Sequence, residues 1–289
     1  MSNTEQDTSS QIALMRGPAF WSQIWKKEFL ASLLPEESTN TFERGSRANN
    51  WDKSEKIRLD GERRVADLDL HPSWSVLDIG PGPGTLAIPI ARKVKHVTVV
   101  EPSLAMIDHL KRHIQDAGVY NIDIIHSRWE DTSLKTVELH DLVIASYSLN
   151  FLDIESSLLK MNQASRQMVY LYWFAGITTL EKIRIDLYPK LFAKRYNPFP
   201  KCNIIYNLLY DAGLFPEIKV LDTSYSQEYS DIEEVVSEIK DILNISTNEH
   251  DEFLAEYVTK KFRNTEQHPI IYDDTTYVRL SWEPKVNEY

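Results

Sequence analysis

The sequence of 289 residues holds one cysteine, Cys202. One thiol forms no internal disulfide and leaves no thiolate cluster for a structural zinc. The eight histidines are scattered without close ligand spacing, so no metal site is expected. No uninterrupted apolar run approaches the roughly 20 residues that cross a bilayer. Residues 1–10 are polar and lack the apolar core of a signal peptide. There is no internal repeat and no long low-complexity tract. Positive charge is also short: 32 Lys and Arg against 43 Asp and Glu give a net charge of −11. A broad basic surface for phosphate backbones is therefore not expected. These absences lead us to expect a cytoplasmic chain, without a membrane span and without an extended nucleic-acid surface. Whether it forms a homo-oligomer is not readable.

What is present is an α/β pattern built around one stretch. Val76, Leu77, Asp78 and Ile79 form an apolar run carrying an acid, and Gly80, Gly82 and Gly84 follow at every second position. Small residues let a ligand approach the backbone closely, and the helix after them offers free amides. A dinucleotide-binding turn would place its third glycine one residue later, where Thr85 stands. Nineteen residues after Gly82, Glu101 ends a second apolar run, 97–100.

The elements predicted in order begin with a tail, 1–10, and a short helix with Trp21, Trp25 and Phe29 on one face, stopped by Pro35. A polar connector, 36–50, carries Arg44 and Arg47. A second helical stretch runs from Trp51 to about 70, with Ile57, Val65 and Leu68 on one face and Gly61 a weak spot. The two helices either pack on the sheet edge or form a lid from which Trp21, Trp51 or Arg47 reaches inward. Strands are expected near 75–79, 97–101, 122–126, 142–145 and 168–173, separated by helices near 85–95, 103–117 and 153–165. Pro89 suits a helix that begins late or irregularly. Helices follow near 178–194 and 201–212, then a strand at 215–223. A capping box at Ser230 and Glu233 opens another helix, one more spans 249–262, and a last strand covers 275–283. Asp273 and Asp274 fit a turn before it. The two late strands are expected to pair antiparallel at the sheet edge.

The acid-Gly-x-Gly-x-Gly turn and the acid ending the next strand resemble the class I S-adenosylmethionine-dependent methyltransferases. The likeness covers roughly residues 50–225 and speaks for cofactor and fold, not for acceptor. It implies a doubly wound, mostly parallel seven-stranded sheet with helices on both faces, an antiparallel edge strand and an N-terminal helical extension. The division expected is a tail and helical cap over 1–52. A Rossmann-like domain then spans 53–289, with helical insertions near 178–213 and 230–262.

The resemblance also implies cofactor contacts. Asp78, Gly80, Pro81, Gly82 and Gly84 form the turn. Glu101 matches the acid that holds the ribose diol, which its two oxygens suit, with Pro102 and Ser103 under the adenine edge. Trp129 and Glu130 lie in the loop that contacts adenine, and Trp129 can pack on the purine face. Ser146 and Tyr147 lie beside the methionine part.

The acceptor side is read from Tyr147, Asn150, Trp173, Trp51 and Arg47. Tyr170, Tyr172, Trp173, Phe174, Tyr147 and Phe151 either line an aromatic pocket for a flat, apolar or cationic acceptor or are simply strand core. His126, His140, Asp153 and Tyr147 are candidate bases, none favoured. No Asn-Pro-Pro-Tyr loop follows the fourth strand and no catalytic cysteine motif is present, which turns weight toward a small-molecule acceptor at O, N or S. Two alternatives stand: a methyltransferase acting on protein or RNA, with a Lys/Arg patch near 182–195, and a non-catalytic S-adenosylmethionine-binding protein.

Overall fold

The computed structural model describes residues 17–34, 55–221, 225–265 and 268–284. Five strands arise where apolar runs were expected: β1 (Ser75–Ile79), β2 (His96–Glu101), β3 (Ile122–His126), β4 (His140–Ser146) and β5 (Ser165–Phe174). They pair parallel in the order β3-β2-β1-β4-β5. β1 and β4 read as nearly continuous apolar runs because both faces of a parallel sheet are covered. Two more strands, β6 (Glu217–Leu221) and β10 (Tyr277–Trp282), complete a seven-stranded sheet. β10 lies between β5 and β6 and is antiparallel to both. A second sheet of three strands was not foreseen: β7 (Tyr225–Glu228), β8 (Arg263–Thr265) and β9 (His268–Asp273), in the order β7-β9-β8. β7 and β8 are short and polar, and β9, His-Pro-Ile-Ile-Tyr-Asp, has adjacent rather than alternating apolar residues, so alternation does not reveal them.

Helices α1 (Pro18–Ser32), α6 (Ile154–Ala164) and α8 (Cys202–Asp211) cover one sheet face, where Leu77, Val143, Leu171 and Leu280 are all fully buried. Helices α2 (Glu55–Ala66), α3 (Ala87–Ala91) and α4 (Leu104–Ala117) cover the other, over Val76, Val97, Val99 and Ile144. The short α5 (Leu134–Val137) links β3 to β4. A separate cluster joins α7 (Thr179–Phe192), α9 (Ile232–Leu243) and α10 (Asp251–Lys261) around Leu187, Val235 and Leu254.

Local chemistry sets the ends. The Ser103 hydroxyl accepts from the Met106 amide at 3.3 Å and caps α4, and Gly118 closes it in the left-handed region, φ 64°. α3 does begin late. Pro89 then occupies the first turn, where its missing N–H would have had no intrahelical partner anyway. The cap of α9 is shifted by one from expectation. Asp231, not Ser230, accepts from the Glu234 amide, and Glu234 reaches back to Ser230.

α1 is neither a lid nor an edge helix. Trp25 is fully buried, packs 5.7 Å from Trp173, and donates from Nε1 to the Phe151 carbonyl at 2.8 Å. Trp21 donates to Asp211, away from the parallel strand ends. Gly61, read as a weak spot, is a point of contact. A Cβ there would lie 2.3 Å from the Thr85 carbonyl oxygen, so α2 packs directly on the glycine turn. Gly61→Ala should destabilise the fold by about 1–3 kcal/mol by overpacking, although alanine is the better helix former. Urea denaturation checks this, and a stabilised variant would contradict the close packing.

Candidate active site

Parallel pairing brings the carboxyl ends of β1, β2 and β4 to one rim, so Ile79, Glu101 and Ser146 end side by side. A cleft of ≈ 1150 Å³, open solvent at its mouth included, lies there. Such a rim is where open α/β sheets place ligands. The cleft is lined by residues 78–83 of the glycine turn, by Glu101, Pro102 and Ser103, by Trp129 and Glu130, and by Ser146, Tyr147 and Asn150. The structure thus gathers Asp78, Gly80, Pro81 and Gly82 with these residues, while Gly84 packs behind the lining. A Cβ on Gly84 would meet Leu110 at 2.6 Å and Ile88 at 2.9 Å, and its φ is 95°.

Glu101 is 4 % exposed. Its Oε2 accepts from the Gly82 amide at 3.1 Å and its Oε1 from the Ser103 amide at 2.9 Å. Burial raises its pKa, and these two amides and His126 oppose the shift. Asp78 is different. It is 1 % exposed, and neither carboxylate oxygen has a hydrogen-bond partner among the described residues. Burial, reinforced by the Glu101 charge and opposed by Arg64, pushes its pKa to about 7. A buried acid left without donors marks a place where a ligand supplies them.

Arg64 was missed by sequence reasoning. It sits on α2 with Ile57 and Val65 as neighbours in a helical pattern, and nothing in the spacing sets it apart from Arg63. The fold turns it inward, 8 % exposed. Its Nη1 donates to the Ser146 hydroxyl at 2.7 Å. Its Nε lies 2.8 Å from Asp60 Oδ2, an ion pair in which the N–H is not aimed as a hydrogen bond. The guanidinium also lies 5.3 Å from the Tyr147 ring centre and 5.4 Å from that of Tyr172. Tyr147 itself has φ 55°, a region that costs an aromatic residue strain and recurs at functional sites.

Other expectations land elsewhere. Trp173 does not line the cleft. It is 1 % exposed and donates from Nε1 to the Pro200 carbonyl, because strand alternation turns it to the core face. Tyr170 and Tyr172 are buried on the opposite face. Trp51 and Arg47 lie outside the described residues. Among candidate bases, His140 is buried at the amino end of β4, 2.9 Å from the Thr98 hydroxyl and far along the strand from the cleft. Asp153 caps α6, accepting from the Ser156 amide at 3.1 Å. His126 sits against the Pro102 carbonyl at 3.0 Å. Of the four, Tyr147 lines the cleft.

A seven-stranded sheet in the order β3-β2-β1-β4-β5-β10-β6, with its cleft at the glycine turn, defines the class I methyltransferase fold. Residues 76–167 match the family model described as a methyltransferase domain. Over those residues the chain carries a methyltransferase domain, set in a sheet of the class I fold. Its fold is similar to that of a protein of Bacillus halodurans provisionally classed as a methyltransferase. That likeness has a TM-score of 0.55 at 15% identity and covers 79% of this chain and 100% of the other. In sequence it is 24% identical over 216 residues to an uncharacterized protein of Haemophilus influenzae, covering 74% of this chain and 78% of that one. It is also 33% identical over 86 residues to a probable ribosomal RNA small subunit methyltransferase A of Methanosphaera stadtmanae, covering 29% of this chain and 30% of that one. No helix of the described residues is long and apolar enough to cross a membrane.

The Asp78 environment generates a pH prediction. Its folded pKa of about 7 lies above the ordinary 3.8, so the folded state binds the extra proton between those values. Its contribution is favourable below pH 4 and is lost as pH rises through 7. Without ligand, wild type should lose on the order of 4 kcal/mol of stability from this group between pH 4 and pH 8. Asp78→Asn should lack that component, as urea titrations across the range would show. Equal pH dependence in both proteins would remove the assignment.

Proposed function

We propose that this methyltransferase acts on a small-molecule acceptor at oxygen, nitrogen or sulfur. The observation that carries the cofactor half of this reading is the unpartnered carboxylate of Asp78 in a cleft that Arg64 and Glu101 also line. A carboxylate and a guanidinium lining one cleft suit the ammonium and carboxylate of the cofactor's amino-acid end. Asp78 accepts from the ammonium. Arg64 offers Nη2, which has no partner among the described residues, to the carboxylate. Glu101 uses one lone pair on each oxygen for a backbone amide and keeps the others for the two ribose hydroxyls. Trp129 and Glu130 take the adenine end, and Ser146 and Tyr147 the sulfonium end.

When bound, S-adenosylmethionine supplies an electrophilic methyl group whose leaving group is a neutral thioether. The chain therefore needs no general acid at that atom, and its task is to hold the acceptor in line. Tyr147 and Asn150 stand at the end of the cleft where the acceptor enters. An acceptor that loses a proton requires a base or arrives as an anion.

A cationic acceptor fits poorly. Arg64 already lies over the Tyr147 ring, and Lys201 lies 5.7 Å from the centre of Phe174, so resident cations hold those ring faces. The likeness to a ribosomal RNA methyltransferase favours RNA as a second reading. The Lys/Arg run proposed as its footprint is only partly withdrawn into the fold, since Lys190, Lys194 and Arg195 stay exposed. Arg184 is 9 % exposed and donates to the Ile242 carbonyl, and Lys182 pairs with Asp274 at 2.5 Å.

Glu101→Ala should weaken binding of S-adenosylhomocysteine by about 1–3 kcal/mol, the scale of a lost charge-assisted hydrogen bond. Calorimetry on the folded variant checks this, and unchanged affinity would sink the ribose assignment. Nuclease treatment of a cell extract decides the acceptor class: methyl incorporation that survives it and stays below the size of a protein supports a small molecule.

A further inference from the structure

The cleft wall contributed by residues 128–130 is a turn. It is closed only by the Asp131 amide on the Arg128 carbonyl and the Thr132 amide on the Trp129 carbonyl, both at 3.2 Å, and the Thr132 hydroxyl on the Arg128 carbonyl at 2.7 Å, so it needs bracing from outside. One side chain outside the cleft supplies it. Lys160, on α6, places Nζ in hydrogen-bond reach of three carbonyls: Trp129, Glu130 at 3.1 Å and Thr132 at 3.0 Å. An ammonium has three donors and no acceptor, so this cage uses it completely. The same nitrogen lies 4.5 Å from the Trp129 ring centre. One turn earlier on α6, the Ser157 carbonyl accepts from Trp129 Nε1 at 3.1 Å. Burial lowers the Lys160 pKa, and the charges of Glu130 and Asp131 oppose that. The backbone shape of the loop, and the direction in which Glu130 faces the cleft, are thus braced from α6, while the Trp129 ring, expected on the purine face, is turned into the core and 2 % exposed.

We propose that Lys160 is a positioning residue for cofactor specificity: its three-carbonyl cage presents the 129–130 backbone and the Glu130 side chain to the purine, and so makes the enzyme select adenine over other bases. This rests on the reading that the Trp129 and Glu130 end of the cleft holds the base. Pinning the loop matters because a base is told apart by hydrogen bonds on its edge, and these fail when donors and acceptors shift by a fraction of an ångström. Lys160 touches no reacting atom and does not take part in methyl transfer.

The test is calorimetric binding of S-adenosylhomocysteine and of its deaminated counterpart, S-inosylhomocysteine, to wild type, Lys160→Met and Lys160→Gln, with thermal unfolding alongside. Wild type should prefer the adenine compound. In Lys160→Met its affinity should drop about tenfold, the scale of one or two lost contacts, while the inosine compound changes little, so the preference collapses. Lys160→Gln keeps two donors and should fall between. Should Lys160→Met not fold, the ratio in Lys160→Gln decides. An equal loss for both ligands would show a merely structural anchor and overturn the proposal, as would unchanged affinities in a folded variant. Binding of neither ligand by wild type would instead overturn the cofactor reading, so the two failures are distinguishable.

Discussion

The carboxylate of Glu101 is the joint on which the site depends. It stands at the end of β2 and accepts one amide from the glycine turn after β1 and one from the start of α4. Two connections that follow different strands are thereby tied to one buried charge. The backbone amides stabilise that charge, and burial opposes it. The turn does not need large side chains because the acid organises its backbone from the neighbouring strand.

A second buried acid stands one strand away, and its state differs for a physical reason. Asp78 has no amides to receive, so burial dominates and its proton is held more tightly. Arg64 partly offsets this from α2, and Gly61 on the same helix permits the close approach that brings Arg64 there. Helix packing, glycine turn and electrostatics are therefore one arrangement. The far end of the cleft is built in the same manner. α6 begins just after the 146–151 loop and grips the 128–132 loop through Ser157 and Lys160, while Trp25 of α1 donates to the carbonyl of Phe151.

The third hydrophobic cluster is built from residues distant in sequence, with α7, α9, α10 and β9 contributing. It gives the chain a unit beyond the methyltransferase sheet. Glu181 ties it back: it completes the capping box of α7 and pairs with Lys201 at 2.7 Å, and it accepts from the Phe199 amide. Such a buried pair, with its remaining lone pairs satisfied, fixes a geometry more than it adds stability.

The sequence by itself determined the succession of the parallel strands along the chain, the glycine turn, Glu101 and the loops after β3 and β4. Each is a local signal: an apolar run with fixed period, a small-residue turn, an acid at a strand end. The antiparallel pairing of β10 and β6 was also legible, since strands joined by helices at a chain's end have few other places to go. Tertiary structure alone decided the rest. It turned Arg64 inward and Trp173 to the core, left Asp78 without donors, and set Lys160 against three carbonyls of a loop about thirty residues away. It also assembled the second sheet from strands whose residues show no alternation. These outcomes depend on which surfaces meet, and contact between distant segments leaves no periodic trace in the chain.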